Sequence, residues 1–507
     1  MEMQKFDLPT EEFRTLGYKV IDMIADYYDD IHSVDVFPSI KSSELANLFD
    51  ERVPKNGIDP EKVIDAWTEK ILPHATHLGS PRYFGFVNGS GTMMCTLAEA
   101  LANSVNMNVG AWKPAPAATE IERQTISWLA EMIGYPKDCG GLMVSGGTMA
   151  DFTAIFTAFR SQAPFDSTDH GLQGEKPNGR FLIYMSDHEG HIAILRAAEM
   201  CNLGRNAIRR VPCHDDFTMD VTALNRMIEE DRGNGDIPFC VVGQAGSINV
   251  GAIDPLEEIG NLCQSKGLWF HVDGACGAFG AMIPTKQHLY KGIELADSIA
   301  LDPHKWLNIS YECGGILVKD PENLRKAFSM SASYLRGTLP TEYTGLDYLE
   351  FGPQMSRGFK ALKLWMSIKQ YGIEGYRKML SQTIECAEYL HELVTRSSEF
   401  EVLHKPQLYI YSFRYVPQDI LEEPSLGNQD NMTNRYLDRL NQEIADAIQL
   451  GGTAFIMTSK IRGRVVLRMS ICSHRTRKED IKMVFLKLSE LGGKLDDRIR
   501  DMFLVES

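Results

Sequence analysis

The sequence predicts an α/β protein: a mostly parallel central sheet covered by helices, with a helical N-terminal segment before it and a small α+β domain after it. Three observations predict this. Short apolar runs alternate with helix-period segments through the middle of the chain. The runs are apolar at consecutive positions, so both faces of each strand are buried. After residue 372 the pattern changes to two strands set between longer helices. Strands buried on both faces need helices above and below them, and helices between strands supply the crossovers that keep neighbours parallel.

In chain order, residues 10–31 read as an amphipathic helix, with Phe13, Gly17, Val20, Ile24 and Tyr27/Tyr28 at helical spacing. "SPRYFGFVNGSG" (80–91) is a break rich in Gly and Pro. "GLMVSGGTMADFTAI" (141–155) reads as a strand, a turn of small residues and a helix. Strands follow at "FLIYMS" (181–186), "FCVVGQAG" (239–246), "LWFHVDGA" (268–275), "SIALD" (298–302) and "GGILVKD" (314–320). Helical patterns lie at 148–161, 191–203, 221–231 and 255–266, and "RGFKALKLWMSIKQYG" (357–372) closes the unit. Residues 377–507 give a helix, the strand "LYIYSFRYV", a helix, the strand "RVVLRMSIC" and a final helix. The expected division is 1–88, 89–375 and 376–507.

Composition narrows the function. Of 507 residues, 44% are hydrophobic and 24% charged, as in ordinary globular proteins. A net charge of −16 argues against nucleic acid or an anionic membrane as partner, since both need a basic face. No run of about 18 apolar residues suggests a membrane span, and the mixed-charge N-terminus lacks the apolar core of a signal peptide. Ten scattered cysteines without a C-x-x-C pair suit a reducing, cytoplasmic setting and offer no zinc ligand spacing, so no metal is expected.

Four features fall at strand ends, where open α/β sheets bind ligands. Ser145, Gly146, Gly147 and Thr148 either cap an ordinary helix or offer free backbone N–H groups to a phosphate. Asp273, ending "FHVD", either caps the next segment or pairs with a protonated heterocyclic nitrogen. His188 and His191 open a helix, as caps or as site residues. Lys305 stands in "ALDPHKWLNIS" (300–310), between apolar stretches where an ammonium is costly to bury.

Taken in order, these parts resemble a group II pyridoxal-phosphate decarboxylase, the family of the aromatic-L-amino-acid, histidine and glutamate decarboxylases, and the aromatic members most. The likeness runs from "LPTEEFRTLGYKVIDMIADYY" through "SPRYFGF", "APAATEIERQTISWL", "HVDGACGA", "DPHKW" and "LKLW" to "LRMSIC". It implies the fold-type I (aspartate aminotransferase-like) architecture with pyridoxal 5′-phosphate as cofactor. It also implies a homodimer in which residues 1–88 wrap on the second subunit.

By the same resemblance Lys305 forms an imine with the cofactor aldehyde, with burial lowering its pKa to free the amine. Asp273 holds the pyridinium proton, and His191 (or His188) stacks on the ring opposite Ala275. Gly147 and Thr148 match the phosphate-binding positions, His304 is a cofactor-binding residue beside the imine lysine, and Ser247 lies close to the cofactor. Asp302 occupies a position that is often Asn in relatives and is not counted as a ligand. "FSMSASYLRGTLPTEYTG" (328–345) resembles the family's mobile catalytic loop, and its Tyr334 protonates the substrate carbon after CO2 leaves.

Relatives with Phe at that position release an aldehyde, ammonia and peroxide. Tyr334 therefore favours plain decarboxylation to an amine, with the aldehyde synthase as the alternative. Leu78, Phe86, Val87 and Gly110 correspond to the substrate pocket. Small residues at Leu78 and Gly110 suggest room for an indole and place tryptophan and phenylalanine ahead of tyrosine.

Overall fold

The computed structural model describes residues 6–174, 178–187, 189–330, 345–422 and 431–505. Its large sheet has seven strands: β1 (Gly140–Val144), β2 (Phe181–Ser186), β3 (Ile208–Val211), β4 (Ile237–Gln244), β5 (Trp269–Asp273), β6 (Ser298–Leu301) and β7 (Gly314–Val318). Their order is β1-β7-β6-β5-β4-β2-β3. Helices join most of them, so β2–β6 run parallel to one another, as the sequence pattern requires. β7 is antiparallel to both its neighbours because the loop 302–313 contains no crossover helix.

All residues of β2, β5, β6 and β7 are buried, which is why these strands carry no polar alternation. The edge strand β3, "IRRV", was not expected from sequence; three of its four residues are only partly buried, so the continuous apolar signal is missing. The helix Gly147–Gln162 starts directly after β1 and packs across the sheet, burying Ala150, Ala154, Ile155 and Ala158. Small side chains on that face let the helix approach closely.

A second sheet, β8 (Phe400–Val402), β9 (Ile410–Tyr415), β10 (Met457–Ile461) and β11 (Arg464–Ser470), has the order β10-β11-β9-β8 and is antiparallel throughout. β8 and β10 add to the two strands expected; one is three residues long and the other is a half-exposed edge. Helices Asn431–Leu450 and Lys478–Val505 contribute Leu440, Ile444, Ile481 and Val484 to its core. The helix Ala361–Thr395 joins the two units and changes direction at Gly372, whose φ of 64° is left-handed.

The segment after the helical N-terminus bridges both units. Phe84 N–H donates to Phe455 O (2.7 Å) and Phe84 O accepts from Ser470 N–H (3.0 Å), so residues 83–87 run beside β11 toward the end of the large sheet. Among the described residues no helix is long and apolar enough to cross a membrane.

Candidate active site

The C-terminal ends of β1, β4, β5 and β6 face one cavity of about 550 Å³. β1 delivers the turn Ser145–Thr148. Gly146 carbonyl accepts from Met149 and Ala150 N–H, while the N–H groups of Gly147 and Thr148 make no hydrogen bond. Side chains here would close the turn. A Cβ on Gly146 would lie 2.9 Å from His304 Cε1, and one on Gly147 would lie 2.7 Å from Asp302 Oδ2. Free donors at a helix N-terminus and space kept by glycine make an anion cradle.

Opposite stands Lys305, held in the loop after β6. Its Nζ is 3.1 Å from Asp302 Oδ2 and 3.7 Å from Cys276 Sγ. Burial works against its charge, but Cys276, Asp302 and Asp273 outweigh that, so its pKa stands above the usual lysine range. Cys276 is itself kept a neutral thiol by burial, so near neutrality the carboxylates supply the attraction. The sequence-based expectation of a pKa lowered by burial is therefore corrected for the cofactor-free chain: two acids compensate the desolvation.

Asp273 closes β5, and its Oδ1 accepts the Ala275 N–H at 3.2 Å. His191, next to it, is the N-cap of helix Ile192–Met200, with Nδ1 accepting from Ala193 N–H at 3.3 Å. That contact leaves the proton on Nε2, and burial lowers the ring's pKa, so His191 is a neutral imidazole at neutral pH. His304 Nδ1 accepts from Cys313 N–H (3.1 Å), and burial lowers its pKa too. Its ring packs on Tyr311 with centroids 4.3 Å apart.

Of the residues singled out from sequence, Lys305, His191, Asp273, Gly147, Thr148, Ala275, His304, Phe86 and Val87 all line this cavity. Ser247 does not, although Gly246 and Ile248 beside it do; its hydroxyl accepts from Ala252 N–H (3.0 Å) and bonds to Glu189. Leu78 packs with Val36, Tyr83 and Phe455, away from the cavity. Gly110 lies outside it as well, against Met355 and with its carbonyl accepting from Leu349 N–H. His188 and Tyr334 lie outside the described residues.

Sequence reasoning missed several residues that the fold brings in. Asp151 follows Gly147 by one helical turn, is buried, and accepts from His271 Nε2 at 3.1 Å. Burial first, then the nearby Asp273, pushes its carboxyl up to about 7. Single ligand atoms of Asp151, His191 and Asp273 lie within 4.8 Å of one another, the spacing of a loose cation site. Arg468 reaches in from β11, with Nε donating to Ile248 O (2.9 Å) and Nη2 to Phe86 O (2.8 Å). An arginine inside the apolar run "RVVLRMSIC" was the available signal. Tyr311 donates to Asn88 Oδ1 at 2.6 Å; it sits in an irregular loop whose sequence gives no such signal.

The arrangement fits a phosphorylated aromatic aldehyde. The cradle would take a phosphate, Asp273 could face a ring nitrogen between His191 and Ala275, and Lys305 would be within the same cavity as the aldehyde. Asp302 Oδ1 is buried without a hydrogen-bond partner, on the wall beside the cradle.

Comparison with known proteins agrees. Residues 43–416 match the family described as pyridoxal-dependent decarboxylase conserved domain. The chain is 31% identical to an aromatic-L-amino-acid decarboxylase of Bacillus atrophaeus, over 97% of this chain and 98% of the relative. It is 26% identical to a phenylacetaldehyde synthase of Arabidopsis thaliana, over 96% and 97%. The crystal structure of Oryza sativa TDC with PLP and tryptamine superposes with a TM-score of 0.87 at 23% identity, covering 97% of this chain and 99% of that one.

Proposed function

This chain belongs to the pyridoxal-dependent decarboxylase family, uses pyridoxal 5′-phosphate and is a carboxy-lyase; from that premise we propose that it converts an aromatic L-amino acid to the corresponding arylalkylamine and CO2. The observation that carries the reading is the convergence of Lys305, Asp273, His191 and the Gly147–Thr148 turn on one cavity at the strand ends. When bound, the cofactor supplies an electron sink for the pair left on the substrate carbon as CO2 departs.

The chain's own residues do the rest. Gly147 and Thr148 would hold the phosphate, with His304 beside Lys305. Asp273 would keep the ring nitrogen protonated, because a carboxylate beside a cation in a low-dielectric site favours the charged form. Neutral His191 would cover one ring face opposite Ala275. Lys305 would be the attachment lysine, its Nζ facing the cavity beside Asp302. Tyr334, in the 328–345 segment, would donate the proton that completes the amine. Phe86 and Val87 wall the substrate side, with tryptophan and phenylalanine ranked ahead of tyrosine.

The working division remains 1–88, 89–375 and 376–507, and the assembly is a homodimer in the cytoplasm. Two features support the dimer. Met93, Leu97, Leu101 and Val105 form one exposed apolar stripe along helix Met93–Val105, and Phe13, Tyr18 and Ile21 are exposed on helix Thr10–Asp30. A second copy would cover both and could bring Leu78 or Gly110 toward a neighbouring site. Removal of residues 1–75 that left a stable, active monomer would overturn it.

The deciding experiment assays CO2, amine, ammonia and peroxide together over a panel of aromatic amino acids, with glutamate as the outsider. The expected result is amine equal to CO2 without peroxide. Peroxide and ammonia equal to CO2 would replace the proposal with the aldehyde synthase, the activity named for the Arabidopsis thaliana relative.

A further inference from the structure

Asp302 is the one acid of the site placed between the attachment lysine and the anion cradle. It is 1% exposed, with Oδ2 3.1 Å from Lys305 Nζ and 3.6 Å from His304 Nε2, while Oδ1 is buried and unpaired. The same carboxylate is among the atoms nearest Gly146 and Gly147, and no atom of Lys305 is. In the cofactor-free chain this carboxyl group lies beside the start of helix Gly147–Gln162, and its pairing with Lys305 favours the ammonium. An ammonium has no lone pair and cannot attack an aldehyde.

An anion seated on the cradle reverses that balance. It cancels the helix field and repels a carboxylate at close range in a poorly screened site. Moving a proton from Lys305 to Asp302 carries positive charge toward the anion, so an anion on the turn favours that transfer. The other titratable groups lining the cavity around this pair are Asp273 at the end of β5, Cys276 after it, Asp151 on the helix, His191, His304, Tyr311, Glu312 and Arg468. Among these, the Lys305 proton lies within hydrogen-bond distance of the carboxylate.

We propose that Asp302 arms Lys305: an anion on the Ser145–Thr148 turn drives the proton from Lys305 Nζ to Asp302 Oδ2, leaving a neutral amine and a neutral carboxyl. Ammonium and carboxylate become amine and carboxylic acid, so protons and charge balance within the pair. The lysine is thus held unreactive until the phosphate of the correct aldehyde is in place. This rests on the reading of Lys305 as the attachment lysine and of the turn as the phosphate site.

The test separates aldehyde from phosphate. Cofactor-free full-length protein is mixed with pyridoxal, which lacks the phosphate, with and without inorganic phosphate. The rate of the visible absorbance of the covalent adduct is followed, and borohydride trapping locates the adduct. Phosphate should speed the wild-type reaction about tenfold or more, the equivalent of one pKa unit. In Asp302→Asn, and in Asp302→Ser should the first variant fail to fold, pyridoxal alone should react fast and phosphate should add little. No acceleration in the wild type, or equal acceleration in wild type and variant, overturns the proposal, because a cradle that merely positions the aldehyde would act alike in both. Trapping of pyridoxal 5′-phosphate on a lysine other than Lys305 overturns the site reading, and this proposal with it.

Discussion

Gly147→Ala tests whether the cradle depends on the absence of one methyl group. The new Cβ would lie 2.7 Å from Asp302 Oδ2 and 3.1 Å from Ala275 Cβ. Ordinary contact begins near 3.4 Å, so Asp302 must retreat by about 0.7 Å. It has little freedom to do so, since Oδ2 is engaged by Lys305 and Asp302 sits at the root of a buried loop. Overpacking of this kind costs about 1–3 kcal/mol. Charged to the state in which the cradle must also hold a phosphate, that cost raises the cofactor dissociation constant roughly 5- to 150-fold. The assay is titration of cofactor-free protein with pyridoxal 5′-phosphate, read by adduct absorbance, with circular dichroism confirming the fold. Gly233→Ala is the control: it ends helix Val221–Gly233 and a Cβ there meets nothing within 4 Å. A dissociation constant within about twofold of wild type for a folded Gly147→Ala protein would refute the reasoning.

Three other outcomes are expected. Arg357 pairs with Glu122, donates to Val109 O (3.0 Å) and Met143 O (2.7 Å), and lies over the Tyr348 ring, all buried behind β1. Arg357→Met strands the Glu122 carboxylate and should cost about 3–5 kcal/mol in urea unfolding, part of which Glu122→Gln in the same chain restores. Asp151 keeps its proton up to about pH 7 in the folded chain and loses it near 3.8 when unfolded. Between those values the unfolded state binds fewer protons, so stability of the cofactor-free protein falls as pH rises from about 4 to about 7, by on the order of 1 kcal/mol per pH unit; Asp151→Asn should flatten this slope. Tyr334→Phe should shift products from amine toward aldehyde, ammonia and peroxide at similar CO2 release; an unchanged amine yield would remove Tyr334 from the role of proton donor.

Much of the site was legible because its parts sit at strand ends next to local signals. Gly146-Gly147-Thr148 after an apolar strand, Asp273 closing "FHVD" and Lys305 after "SIALD" each announce a strand end, and a parallel sheet gathers those ends on one side. What local pattern could not supply was convergence from elsewhere. Arg468 comes from the second sheet, Phe86 and Val87 from a segment clamped to β11, and Tyr311 from an irregular loop with no periodicity. The missed strands β3, β8 and β10 are short or half-exposed edges, where partial burial erases the apolar run.

By itself the sequence determined the fold class and the placing of Lys305, Asp273 and the glycine turn at strand ends, the motifs that carry the family resemblance. Those follow from periodicity and short motifs, which are properties of neighbours in the chain. The tertiary structure decided which of the other candidates reach the cavity: His191 does, while Leu78, Gly110 and Ser247 do not within one chain. It also decided the state of Lys305. An apolar stretch argues for a neutral amine, but folding sets two carboxylates beside the nitrogen, and electrostatics in a poorly screened interior depends on what lies across the cavity rather than on what is next in sequence.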